Sequence, residues 1–325
     1  VNQVPVKVLS AGIIVVDHVC APIERLPRSG ELVLTDGCDL FIGGCAANVA
    51  IDLTKLGLPV RVVGAIGRDP LGEFAEETLA GSGIDTSQLV FVEGLATSQT
   101  LVVNVAGDDR RFIHLKGAND QLKAGQIAET LSPGIRVLYL GGLFLMDGLV
   151  PGEVADLFRT ARRQGIRTVL DVVTPGPRSY ESALREILPE TDLFLPNEDE
   201  GELITGHSSA IEQGRVFRQW GAKSVVITRG EKGSLYLSDD EAFHATAYPM
   251  KFVDGTGGGD AFSAGYISGL VDGLDAVGCV ARGTALGGSC VQERGATVGV
   301  WNRQQLEEYL GACPLKVGPL SMIDE

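Results

Sequence analysis

The segment with the densest chemistry is Val253-Asp254-Gly255-Thr256-Gly257-Gly258-Gly259-Asp260-Ala261-Phe262. Three successive glycines run into a helical pattern over residues 261–270. At a helix start the first backbone N–H groups have no intrahelical partner and point outward. Glycine lets that backbone approach a ligand closely and adopt positive φ. Such a segment cradles an anion without any cationic side chain. Phosphoryl transfer to an alcohol needs a group that takes the hydroxyl proton and donors that stabilise the phosphoryl oxygens. Asp260 can do the first, and the amides of Gly257, Gly258 and Gly259 the second. On these residues alone, Asp260 also reads as an ordinary N-cap after a tight glycine loop.

A second glycine pair opens a helical pattern about 200 residues earlier, in Gly43-Gly44-Cys45-Ala46-Ala47-Asn48. With both motifs in this order the chain resembles the ribokinase-like (PfkB) carbohydrate kinase family. The likeness runs from residues 12–17 to a C-terminal helix near 304–310. It implies ATP-dependent phosphorylation of a small sugar or sugar derivative, with Asp260 as the base acting on a primary hydroxyl. A nucleoside kinase of the same family is the alternative enzyme, and a nonenzymatic sugar or nucleotide sensor is the alternative class.

The resemblance assigns further residues. Gly43, Gly44 and Asn48 match the sugar-binding helix start, and Asp17 the carboxylate that grips substrate hydroxyls. Asn48 falls on an otherwise apolar helix face, where a buried amide needs partners. Asn197 and Glu200, in Pro196-Asn197-Glu198-Asp199-Glu200, resemble an Asn-x-x-Glu element. By that likeness Asn197 lies near the nucleotide phosphates and Glu200 organises Mg²⁺ through water, which Mg²⁺ tends to retain. A solvated acidic helix start is the other reading, since acids are favoured there. Thr228, Arg229, Gly230 and Gly233 match a strand-turn loop on the nucleotide, and Thr284 a position near the adenine. Asp254, Thr256, Cys290 and Gly295 fall where some members hold K⁺ through backbone carbonyls. Arg110 and Arg111 either meet an acid or phosphate on the substrate or are simply solvated. Several positions depart from ribokinases. Val15 stands where they carry Asn, Cys45 where they carry Lys, and Tyr139-Leu140-Gly141-Gly142 lacks the acid expected there. Ribose itself is therefore not the expected acceptor. Gly258 replaces the usual Ala and keeps every amide.

These residues need a scaffold. Apolar, β-branched runs at 6–16, 60–66, 137–140, 168–173, 193–195 and 224–228 alternate with helical patterns at 46–56, 154–163 and 210–220. Near-continuous apolar strands with intervening helices indicate a parallel sheet covered on both faces. The expected fold is α/β, ribokinase-like and doubly wound, with a mostly parallel sheet and a small β-sheet lid. The body comprises 1–16, 42–96 and 117–325. The lid comprises 17–41 and 97–116, the latter a hairpin around Gly107-Asp108-Asp109. Open α/β sheets bind ligands at the C-terminal ends of their strands, where such a lid would close.

Composition narrows the field. The 325 residues carry 27 Lys plus Arg against 42 Asp plus Glu, a net charge of −15. That balance speaks against nucleic-acid or acidic-membrane partners, which need a basic patch. A phosphate ligand must then meet amides, helix ends or a metal. The first residues lack a basic segment followed by a long apolar run, and no run approaches ~20 apolar residues, so a cytoplasmic protein is expected. Six cysteines include no C-x-x-C pair and read as free thiols. No Gly-Lys dipeptide occurs, which excludes the Walker-type phosphate loop, and the register from Gly255 meets Asp260 where a dinucleotide fingerprint needs glycine. A homodimer joined through unpaired lid strands is expected from the family likeness.

Overall fold

The computed structural model describes residues 5–107 and 111–320. The apolar run at 6–16 is two strands rather than one, β1 (Val8–Gly12) and β2 (Val15–Cys20). Gly12 makes the break. Its φ is +134° and a Cβ there would lie 2.1 Å from the Gly141 carbonyl oxygen, so the chain turns out of the core sheet where only glycine fits. β3 (Cys38–Gly43) returns antiparallel to β2 and feeds α1 (Cys45–Lys55). The run at 60–66 is likewise split, into β4 (Val60–Val63) and β5 (Ala65–Gly67). The intervening Gly64 packs where a Cβ would meet Ile14 at 2.5 Å. α2 (Pro70–Gly81) starts at Asp69, whose carboxylate accepts from the Gly72 amide, and leads to β6 (Val90–Val92), paired with β5. The expected hairpin is β7 (Gln99–Val103) and β8 (Arg111–Leu115). Its tip, with Arg110, lies outside the described residues.

The rest of the chain alternates as the sequence suggests. It runs α3 (Ala124–Ala128), β9 (Val137–Gly141), α4 (Pro151–Arg163), β10 (Arg167–Leu170), α5 (Glu181–Ile187) and β11 (Leu193–Phe194). Next come α6 (Glu198–Thr205), α7 (Ala210–Gln219), β12 (Ser224–Thr228), β13 (Ser234–Ser238) and β14 (Ala242–Ala245). Three helices follow, α8 (Gly258–Asp272), α9 (Ala276–Cys290) and α10 (Arg303–Ala312), and then β15 (Val317–Gly318).

The strands form a nine-stranded sheet ordered β15-β14-β13-β12-β11-β10-β9-β1-β4. From β4 through β12 neighbours are parallel, and the last three strands add antiparallel. Every residue of β1 and β9 is buried, as a two-sided cover requires. α8 and α9 pack backbone to backbone. A Cβ on Gly265 would lie 2.4 Å from the Arg282 carbonyl, and one on Gly269 2.8 Å from Cys279 Sγ. The second sheet, β3-β2-β7-β8, grows directly from the C-terminal end of β1 and is the small lid of this fold.

Candidate active site

Gly257 is the N-cap of α8, with φ +78°, and Asp260 is the third residue of that helix. Gly257, not Asp260, therefore occupies the cap position. Asp260 Oδ2 instead accepts from Asn48 Nδ2 at 2.8 Å, across 212 residues of sequence. The N-cap reading is thereby removed, and the two glycine-opened helices α1 and α8 meet through their polar side chains. Gly44 caps α1 with φ +88°, and a Cβ there would lie 2.6 Å from the Ile13 carbonyl oxygen. Gly43 is equally constrained, because its Cβ would lie 2.3 Å from Asp17 Oδ2. The Asp17 carboxylate thus rests against the helix start beside Asn48. Replacing Gly43 by Ala would push it away. If Asp17 grips the acceptor, as the family likeness implies, loss of one charged hydrogen bond worth ~1.5–3 kcal/mol should raise the acceptor KM about 10-fold or more and leave the KM of the second substrate unchanged. Steady-state kinetics with each substrate varied in turn checks this.

Asp171 beside Asp260, and Thr100 and His114 on the lid, escaped the sequence reading. Asp171 follows β10, and its Oδ2 accepts from Tyr139 Oη at 2.8 Å. Polar atoms of Cys45, Asp171 and Asp260 all lie within 4.8 Å of one another. The neighbouring strand thus sets an acid beside Tyr139. The signal for Asp171 in the sequence is an acid interrupting the apolar run 168–173, as Asp17 ends the run 6–16. On the lid, Asp17 sits opposite Thr100, and Thr100 opposite His114, whose Nδ1 lies 3.0 Å from Thr100 Oγ1. The period-2 pattern of β8 carries that signal. By the same alternation Arg111 falls on the lid face opposite Asp17, so the register does not bring it to the site.

Burial raises all four acids, and Asp260 adds to the rise of the other three. Burial pushes the Asp260 carboxyl up, against hydrogen bonds from Asn48 and Cys45. Asp171 is driven well above the carboxylate range by burial, then by Glu200 and Asp260. Glu200 is raised to about 7, first by burial and then by Asp260 and Asp199, while the Asn197 amide opposes. Asp17 is raised to about 6 by burial, with the Thr100 hydroxyl opposing and Asp260 adding to the rise. Like-charged carboxyls taken from water behave this way. A set of hard oxygen donors that resist ionising together suits a divalent cation such as Mg²⁺.

Asn197 caps α6. Its Oδ1 accepts from the Glu200 amide at 2.8 Å, and the Asn197 amide donates to Glu200 Oε2 at 3.0 Å. Asn197 also bridges to Thr228. Arg229 Nε donates to Glu198 Oε1 at 3.0 Å, and Lys232 Nζ lies 3.3 Å from Glu198 Oε2. Gly230 has open space at its Cβ, whereas Gly233 is fixed by packing, with a Cβ 2.0 Å from the Ala245 carbonyl oxygen. Thr284 is buried on α9 and its hydroxyl has no hydrogen-bond partner, as is true of Asn48 Oδ1 and His114 Nε2. The Gly259 Cβ likewise faces open space, so neither φ nor packing demands glycine there. Room beside an outward amide and buried polar atoms without partners both fit a bound polar ligand.

Asp254, Thr256, Cys290 and Gly295 also come together. Asp254 Oδ1 accepts from the Thr256 amide (3.0 Å) and hydroxyl (2.8 Å), and Oδ2 from the Gly295 amide (3.2 Å). The Cys290 thiol donates to the carbonyls of Thr256 (3.3 Å) and Ala296 (3.1 Å).

A doubly wound body, a β lid and two glycine-opened helices meeting at an aspartate define a small-molecule kinase of the ribokinase fold. The chain belongs to the pfkB family of carbohydrate kinases, whose model matches residues 7–303. It is 26% identical to the ribokinase of Haemophilus influenzae, over 92% of this chain and 96% of that one. It is 32% identical to the cytidine kinase of Thermococcus kodakarensis, over 78% and 88%. An Escherichia coli chain solved with ATP and Mg²⁺ superposes with a TM-score of 0.80 at 26% identity, covering 95% and 100%. The protein is thus a phosphotransferase with an alcohol acceptor. Among the described residues no helix is long and apolar enough to cross a membrane.

Proposed function

We propose that this chain transfers the γ-phosphoryl group of ATP to a primary hydroxyl of a small sugar or sugar derivative other than ribose. The observation that carries this reading is the Asn48–Asp260 hydrogen bond, which joins the acceptor-side helix start to the anion-cradling one. Acceptor hydroxyls donate to Asp17 and to the free Asn48 Oδ1. Asp260 takes the proton of the attacking hydroxyl, and the amides of Gly257, Gly258 and Gly259 take the charge on the phosphoryl oxygens. The lid, which we assign to 17–41 and 97–116, excludes water that would otherwise compete as acceptor. Asn197, Thr228, Arg229, Gly230, Gly233 and Thr284 form the ATP side. Glu200 through water, with Asp171 beside it, would hold Mg²⁺, which neutralises phosphate charge when bound. Asp254, Thr256, Cys290 and Gly295 are the frame for K⁺, with carbonyls as ligands.

The likeness to a cytidine kinase keeps a nucleoside acceptor as the second reading. We also propose a cytoplasmic homodimer joined through the lid, whose outer strands β3 and β8 each have one unpaired edge among the described residues. Phosphorus NMR of the reaction mixture tests the main reading. A new phosphomonoester on a CH₂–O carbon of a sugar supports it, and phosphate on a nucleoside alone contradicts it.

The raised acids give opposite slopes for activity and stability. Glu200 and Asp17 bind protons more tightly folded than unfolded, so their contribution to stability is present below about pH 4 and is lost as pH rises toward 7. Activity needs the ionised forms and should climb across the same interval. Without divalent cation the melting temperature should therefore fall from pH 5 to 7 in part through these groups. Glu200→Gln should flatten that slope in a thermal melt series.

A further inference from the structure

We propose that Cys20 and Cys38 form a reversible disulfide that cross-links the two lid strands leading to Asp17 and Gly43. The two residues face each other in the antiparallel register of β2 and β3. The Ala21 amide donates to the Gly37 carbonyl at 2.8 Å, immediately beyond the pair. That bond flanks the two cysteines rather than joining them, which marks a non-hydrogen-bonded pair. Opposite Cα atoms in such pairs lie about 4.5 Å apart, with their side chains close. Disulfides span Cα separations of roughly 4.4–6.8 Å, so the backbone need not move far to accept one.

Exposure selects the same two thiols. All six cysteines are free, Cys38 is exposed and Cys20 half-buried, while Cys45, Cys279 and Cys290 are buried. Cys313, the sixth, has no cysteine across from it in any described strand pair. The segment 21–37 between the pair is a long irregular loop that exposes Leu32 (79%) and Leu34 (83%). Its base is held by Thr35 Oγ1, which donates to the carbonyls of Ala21 (3.0 Å) and Gly37 (3.1 Å). A disulfide would close this loop covalently and restrict its unfolded ensemble.

The oxidant is a low-molecular-weight disulfide such as oxidised glutathione. The exposed Cys38 thiolate attacks one glutathione sulfur and expels a glutathione thiolate. The Cys20 thiolate then attacks the Cys38 sulfur of the mixed disulfide, forms the protein S–S bond and expels the second thiolate. The two protons of the cysteines end on two glutathione thiols, a two-electron exchange reversed by excess reduced glutathione. Asp17 lies three residues before Cys20 on β2, and Gly43 five after Cys38 on β3, so the bond clamps the ladder that presents both.

The full chain is incubated with excess oxidised glutathione, alkylated, digested without reductant and analysed by mass spectrometry. We expect one linked peptide joining Cys20 to Cys38, with the other four cysteines alkylated. Cys20→Ser should instead carry glutathione on Cys38, as Cys38→Ser should on Cys20. The oxidised wild type should melt a few degrees above the reduced form, a shift absent in Cys20→Ser. Six alkylated thiols after treatment, a link between two chains, or an unchanged melting temperature of the linked form would each overturn the proposal.

Discussion

Replacing Asp260 by Asn should lower kcat by about 10²-fold or more, the usual scale for a positioned base, and leave ATP affinity little changed. Asn keeps the shape and an oxygen for the Asn48 amide, so the bond between α1 and α8 survives. What it removes is the capacity to accept a proton. It also removes a charge next to Asp171 and Glu200, both of which Asp260 raises. The variant should therefore melt no lower than the wild type, and the Glu200 carboxyl should titrate below about 7. Near-normal turnover with this substitution would take the base role away from Asp260. Kinetics, calorimetric ATP binding and a thermal melt on one preparation separate these effects.

The second large effect is expected at Gly257. An alanine there must hold φ near +78° and place its Cβ 2.1 Å from the Ala296 carbonyl oxygen. The left-handed conformation alone costs roughly 1–2 kcal/mol, and the overlap forces the 256–258 turn away from Ala296. The amides that follow would lose their common aim, and loss of one such donor commonly costs about 10²–10³ in kcat. Gly257→Ala should thus lower the melting temperature and also cut kcat by about 10²-fold. Gly259→Ala separates the two contributions. It has no clash and no positive φ, and Ala in a helix is more stable than Gly by roughly 0.5–1 kcal/mol. It should melt at or above wild type while turnover falls, because its methyl fills the space a phosphoryl group needs. Full activity in Gly259→Ala would remove the anion-hole assignment.

Some of this was legible in the sequence because its physics is local. Glycines before a helix announce free amides, and the alternation of apolar runs with helical patterns announced the doubly wound sheet. The breaks at Gly12 and Gly64 were not legible, since each depends on a distant group, the Gly141 carbonyl or the Ile14 side chain, approaching the missing Cβ. Asp171 was hidden for a related reason. Its importance lies in the adjacency of β9 and β10, which sets Tyr139 beside it, and in its nearness to Asp260 and Cys45 from two helices. Asn197 and Glu200 show two readings merging, because the acidic helix start and the candidate metal carboxylate are one capping box. Arg111 shows the converse. Its charge invited a substrate role, but only the pleat register reveals which face of the lid it occupies.

The central claim is that Asp260 and the glycine amides move a phosphoryl group from ATP to a sugar hydroxyl. ADP release measured with Mg²⁺·ATP over a panel of sugars, sugar acids, sugar phosphates and nucleosides tests it most directly. ADP formation should be stimulated by at least one sugar-class acceptor and lost in Asp260→Asn. Release stimulated only by nucleosides, or nucleotide binding without turnover on any acceptor, would contradict it.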